Sequence, residues 1–326
     1  MKVARWLATP LLAAGLLGWA ARMSSGLLAA APEPRPLALR APSADREHVE
    51  TYPTPEQPRD AVKLAVFEKI NADRLAAGLA TVAWDESASR VADAFSAQQV
   101  AERTRGHFLM DGLPPYARTA FASIFGKGSE NSVSWLTTAS SFSEPTVNLA
   151  LSGQKDMITE RPPNDGHRRT ILSSDATHVG VGYAIDHGRF QMAEEFLVRH
   201  LERLSWKITP GAVPNAHFEG RTRPRRAIRF VTIAWEPVPR HLTREEASAR
   251  TSYAYPKPFL SYIPEGQHQW RVLETQNQDR LSVRRDDSFS FVFSPPQQGL
   301  YTFVFYTSSP EASDPRPGGS ATLWFE

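Results

Sequence analysis

The stretch NDGHRRTIL, residues 164–172, places a histidine where a helix is expected to begin. Asn164 and Asp165 each offer a side-chain acceptor to the free N–H groups of a first helical turn. His167 then lies near the positive end of the helix dipole, which favours the neutral ring. A neutral imidazole is what a metal ligand or a proton acceptor needs. Its own surroundings leave three readings: a ligand, a general base, or a histidine simply satisfied at a helix start.

Chemistry elsewhere is sparser. The chain has no G-x-S-x-G elbow and no H-E-x-x-H motif. It has no cysteine, which removes disulfides, a thiol nucleophile and a lipid-modified cysteine. No catalytic residue is therefore assigned. His178 precedes an expected strand and His187 stands in an expected turn, so both read as surface residues. Glu194 and Glu195 alternate across a strand, and the ordinary reading is a solvated strand end; the alternative turns one of them toward a cleft. Arginines 221, 223, 225, 226 and 229 in GRTRPRRAIRF could grip an anionic envelope polymer or lipid phosphate, because guanidinium forks suit phosphate. The plain alternative is a solvated loop entering a strand.

A scaffold has to position these groups. The chain is 326 residues long, 41% hydrophobic, with a net charge of +2, which suits ordinary cores and two domains and implies no polyanion partner for the whole chain. Residues 1–25 read as an export signal. Lys2 and Arg5 precede an apolar run from Trp6 to Leu17, and the small residues of GWAA follow. That run is too short for a stable transmembrane span, although an uncleaved anchor is the competing reading. The expected location is secreted, periplasmic or cell-envelope, which also argues against a nucleic-acid partner. Residues 26–58 are Pro- and Ala-rich, without an apolar period, and read as a linker.

Residues 59–204 carry helical periods. A helix is expected over 61–79, with Leu64, Phe67, Ile70, Asn71 and Leu75 on one face. A second is expected over 83–104, capped by Asp85 and turning Ala88, Val91, Phe95 and Val100 inward. A third is expected over 146–160, weakened by Gly153. HVGVGYAI (178–185) and RFQMAEEFLVRH (189–200) read as strands joined by a DHG turn. Over 205–326 the period changes to two. Strands are expected at 227–235, 269–274, 288–294, 300–307 and 321–326, with one short helix at 244–250. Phe289, Phe291 and Phe293 share one face, as do Tyr301, Phe303 and Phe305. Short strands with turn signals predict a β-sandwich of immunoglobulin-like type.

VFEKINADRLAAGLATVAWDESASRVADAF, followed in order by GHFLMDG, GKGSEN, DGHRRTIL and THVGVGYA, resembles the CAP superfamily. That superfamily holds cysteine-rich secretory proteins, antigen 5 and pathogenesis-related proteins, and the likeness is to its bacterial SCP-like branch. It covers about residues 60–203. The fold class it implies is α+β: a CAP-type α-β-α sandwich, here followed by an all-β immunoglobulin-like domain. The resemblance implies a cleft with two histidines and two glutamates. His107 matches the first histidine, Glu130 the first glutamate and His167 the second histidine. Glu160 is proposed as the second glutamate, with Met157 where the family has an aromatic residue.

Two imidazoles and two carboxylates suit one divalent metal, zinc or, less specifically, magnesium or calcium. The alternative is a hydrogen-bonded network with no metal. Glu160 and His167 are seven residues apart across RPPNDG, so a turn can bring them together. Asn131, beside Glu130, reads as fixing backbone. The expected function is a non-catalytic binding module of the cell envelope or extracellular space. The resemblance implies a small apolar ligand or an envelope component as partner. The competing function is a metal-dependent hydrolase of peptide or ester bonds using the same cleft.

Overall fold

The structure, a computed structural model, describes residues 46–49, 57–211, 214–265, 277–310 and 312–325. The expected export signal, most of the expected linker and the strand expected at 269–274 lie outside those residues. Within the stretch read as linker, β1 (Arg46–Val49) is a strand, which corrects that part of the reading. It adds to a sheet edge, with Arg46 opposite Trp206 and Val49 opposite Arg203. Edge pairing uses backbone hydrogen bonds and needs no apolar period, so the composition did not signal it.

α1 (Ala61–Ala76) starts where Asp60 accepts from the Val62 and Lys63 amides at 2.9 and 3.0 Å. Phe67 and Ile70 are buried as expected, but Leu75 is 61% exposed. The inward place is taken by Arg74, which donates to the carbonyls of Ala80, Ile171 and Ser173 at 2.9, 2.6 and 2.9 Å. One guanidinium thus serves carbonyls that no helix or strand satisfies, which is how a charged side chain is tolerated in the interior. Asn71 pins the next loop by bonding both the N–H and the C=O of Val82.

β2 (Ala83–Trp84) takes the first residues of the expected second helix, so α2 (Glu86–Glu102) begins after its cap Asp85. Then follow α3 (Pro115–Phe121), β3 (Lys127–Leu136), α4 (Thr146–Ile158), α5 (Gly166–Ile171), β4 (His178–Asp186) and β5 (Arg189–Val198). The DHG turn joins β4 to β5 with positive φ at His187 and Gly188, a geometry suited to a tight hairpin. The sheet order is β2-β4-β5-β3. α2 lies directly on one face. A Cβ at Gly180 would stand 2.1 Å from the Ser89 nitrogen, and one at Gly182 2.1 Å from the Asp93 nitrogen. α1 and α4 cover the other face over Val179, Val181, Phe190, Met192 and Phe196. Gly153 lets α4 approach β3, since a Cβ there would meet Val133 at 2.8 Å. The layers are α-β-α.

The remainder forms one nine-stranded sheet. Its new strands are β6 (Leu201–Thr209), β7 (Asn215–Thr222), β8 (Ala227–Glu236), β9 (Pro258–Pro264), β10 (Asn277–Val283), β11 (Ser288–Phe293), β12 (Gly299–Ser309) and β13 (Ala312–Phe325), and α6 (Arg244–Ala249) interrupts them. The order is β1-β6-β7-β11-β10-β9-β8-β12-β13, with β9 and β10 parallel. β7 and β12 stand five places apart, about 24 Å in a flat sheet. Yet the rings of Phe218 on β7 and Phe303 on β12 are 4.5 Å apart. The sheet therefore folds over on itself, and Phe289, Phe291, Phe293, Tyr301, Phe303 and Phe305 fill the interior as their alternation predicts. Hydrogen bonding runs continuously through all nine strands, whereas an immunoglobulin sandwich has two separate antiparallel sheets.

The boundary expected at 204/205 falls inside β6. The two halves also share an apolar cluster. Leu113, Tyr116, Ala117 and Phe121 pack with Leu300, Tyr253, Tyr255 and Trp324.

Candidate functional site

His107 follows α2 and is buried; the preceding Gly106 has φ +82 and no room for a side chain, because a Cβ would lie 2.9 Å from the Arg250 carbonyl. Its Nδ1 is 2.9 Å from Glu130 Oε1 on β3. Arg118 of α3 donates to Glu130 Oε2 at 2.6 Å and to the His107 carbonyl at 2.8 Å, with its guanidinium over the Phe95 ring. This charge-assisted frame holds Glu130, and Glu130 orients His107.

His167 opens α5. The expected cap at Asp165 makes no side-chain hydrogen bond to the first-turn amides; its carboxylate pairs with Arg169 at 3.2 Å instead. Glu160 does that work from outside the helix: its Oε2 accepts from the His167 and Arg168 amides at 3.0 and 3.4 Å, and its Oε1 is 2.6 Å from His167 Nδ1. Asn131 holds backbone as expected, donating to the His167 carbonyl at 3.3 Å. Its amide also donates to Glu194 at 3.0 Å.

The two rings meet with centroids 5.9 Å apart. All four residues from the sequence are thus placed together, in two matched pairs. A carboxylate only accepts, so each Nδ1 carries a proton, and in the neutral ring the lone pair is then on Nε2. Neither Nε2 has a hydrogen bond among the described residues. The carboxylates are engaged with Nδ1, and among the described residues no three His, Cys, Asp or Glu side chains converge as a metal cage. The two Nε2 atoms are the ring nitrogens left without a hydrogen bond, with Glu130 and Glu160 bonded to the opposite side of each ring.

Sequence reasoning missed two participants and gave a third only as an alternative. Arg118 lies in PYARTAF, where nothing separates it from a surface arginine. Tyr253 arrives from the segment between α6 and β9. Its hydroxyl bonds the Glu130 backbone, and its ring packs edge-on to His107 with centroids 4.9 Å apart. The segment that precedes α6 ties back to the same region through Leu242 N, which donates to Met110 O at 2.7 Å. Glu195, opposite Glu130, is the third. The solvated reading of Glu194 and Glu195 is corrected: both are 0% exposed, because β5 is a central strand covered on both faces. Burial, then the Glu130 charge, raise the Glu195 carboxyl well above the usual carboxylate range. Burial pushes Glu194 up to about 8.

His187 is exposed beside Asp186. His178 is half-buried and bonded to Thr177 Oγ1 at 2.8 Å, and burial holds it down at about 4, which corrects its surface reading. The arginine-rich stretch spans the β7–β8 turn, where Arg221 pairs with Asp286 and Arg229 donates to Ser308.

Residues 67–199 match the family described as CAP, the cysteine-rich secretory protein family. No curated protein matches the chain. Among solved structures it is similar to an extracellular SCP-domain protein of Bacillus anthracis, at 19% identity over 42% of this chain and 40% of that one, TM-score 0.33. An outer surface protein of Borrelia burgdorferi shares 15% identity over 45% of this chain and 99% of that one, TM-score 0.34. A cysteine-rich secretory protein of Staphylococcus aureus shares 12% identity over 44% and 42%, TM-score 0.27. The chain thus covers well under half of the Bacillus and Staphylococcus proteins. Residues 67–199 of this chain form a CAP domain of the cysteine-rich secretory protein family.

Proposed function

We propose that this chain is a non-catalytic binding module of the cell envelope or extracellular space, and that His107 and His167 together hold one divalent cation at its cleft. The observation that carries the metal reading is the twin pairing. Each imidazole gives its Nδ1 to a glutamate, which fixes the tautomer and leaves Nε2 as the donor atom. Two imidazole ligands favour zinc over magnesium or calcium, which prefer oxygen. A bound ion would supply an electron-pair acceptor for an oxygen atom of the bound partner. The extracytoplasmic reading rests on the apolar run from Trp6 to Leu17 and the short basic stretch before it. Among the described residues no helix is long and apolar enough to cross a membrane.

Calorimetric titration with zinc, magnesium and calcium tests the metal reading. Zinc is expected to give heat that weakens as pH falls through the histidine range, because protons compete for imidazole. His167→Ala should abolish that heat while the melting transition survives, since the ring is partly exposed and little packing is lost. No heat with any ion makes the site a hydrogen-bonded network. A parallel screen against ester and peptide substrates tests the non-catalytic reading, and zinc-dependent turnover lost in His167→Ala would replace it with the hydrolase.

A further inference from the structure

The geometry points to a second binding site, for a phosphate-bearing anion, where the end of α2 meets α6. A cavity of about 440 Å³ opens there. Four arginines line it: Arg103 and Arg105 after α2, Arg189 at the start of β5, and Arg244 at the start of α6. Glu245 is the one carboxylate in its lining. The side chains of Arg103, Arg105 and Arg189 make no ion pair or hydrogen bond among the described residues, and that of Arg244 uses only Nε, on the Glu102 carbonyl.

Folding has therefore gathered four guanidinium groups from three separate segments against one lining carboxylate. The negative end of the α2 dipole accounts for a cation at Arg103. It does not account for Arg189 and Arg244, which belong to other elements. Burial and then the charges of Arg103 and Arg244 pull the Arg189 guanidinium below its ordinary range, so the cluster has a repulsion that an anion would relieve.

The lining supplies an independent second observation. Gln99 and Thr104 are 0% and 2% exposed, and Gln99 Oε1 and Thr104 Oγ1 have no hydrogen-bond partner. A buried polar atom without a partner is costly, and the cost disappears if a ligand supplies one. The threonine hydroxyl can donate to an anionic oxygen. The glutamine carbonyl can accept from a hydroxyl carried on the same molecule. Guanidinium forks match phosphate oxygens in pairs. Together they describe a phosphate monoester on a hydroxyl-bearing carrier. This site is independent of the His107–His167 cleft.

Titration of the full chain with inorganic pyrophosphate and with glucose 6-phosphate tests it, alongside flotation with vesicles of phosphatidylcholine containing or lacking phosphatidic acid. Saturable binding is expected that weakens as salt rises. Arg189→Ala and Arg244→Ala should each lose about tenfold in affinity, as expected for a charge-assisted contact. His167→Ala should bind as wild type does. Binding of the soluble phosphates identifies a free ligand; flotation with phosphatidic acid alone identifies a lipid headgroup; either supports the site. Absence of both overturns it. So does binding that the two arginine variants leave unchanged, or that His167→Ala removes.

Discussion

Glu194→Gln gives a pH-dependent test of how the sheet buries charge. Glu194 is fully buried on β5, held by Asn131 through Oε2, while Oε1 has no partner. Burial first, and then Asp73, raise its carboxyl from 4.5 to about 8. Between those values the folded chain holds a proton that the unfolded chain has released. The contribution is therefore present below about pH 4.5 and lost as pH rises through about 8. From pH 5 to pH 7 the loss amounts to about 2 to 3 kcal/mol. The wild-type profile alone will not display it, because other groups oppose it. His178 and His200, held at about 4 and about 3 by burial, add stability as pH rises through the ordinary histidine value. The variant isolates the term. Glutamine mimics the protonated acid and cannot ionise, so Glu194→Gln should gain on wild type by about 2 to 3 kcal/mol between pH 5 and pH 7. Urea denaturation of both proteins at pH 5, 6, 7 and 8 measures the gap. A gap constant to within about 0.5 kcal/mol, near the extrapolation error, refutes the reasoning.

Other consequences follow from contacts on the two faces of the small sheet. Gly180→Ala puts a methyl 2.1 Å from the Ser89 nitrogen, and should cost about 3 kcal/mol or prevent folding, measured by urea denaturation. Glu160→Gln leaves an acceptor near His167 but no charge, and should weaken zinc binding about tenfold to a hundredfold by calorimetry; unchanged affinity would remove Glu160 from the site. A fragment of residues 205–326 lacks the first part of β6 and uncovers Leu300 and Trp324, so it should melt at lower temperature than the full chain and self-associate in sedimentation; a stable monomer would show that the junction is dispensable.

Much of the scaffold was legible from local patterns. Apolar spacing placed α1, α2 and α4, because a helix that buries one face must repeat at its own period. Strict alternation placed β11 and β12 and their inward rings. Motif order brought out His107, Glu130, Glu160 and His167. What one period cannot encode is the far side of a contact. Arg74 displaced Leu75 from the core because carbonyls at Ile171 and Ser173 needed a donor, a demand made about a hundred residues away.

The chemistry at the cleft divides the same way. The resemblance carried by motif order implied that two imidazoles and two carboxylates share a cleft. Only the tertiary structure decided that the carboxylates bond to Nδ1, which changes their role from ligand to orienting group. It also decided that β5 is central, so that Glu194 and Glu195 are buried with carboxyls raised above the usual range, where the same residues on an edge would be solvated. And it brought Tyr253 from the second half of the chain onto Glu130. Sequence patterns report the face an element turns inward; which neighbours cover that face is set by packing between distant segments, and that packing fixes the charge of the groups beneath it.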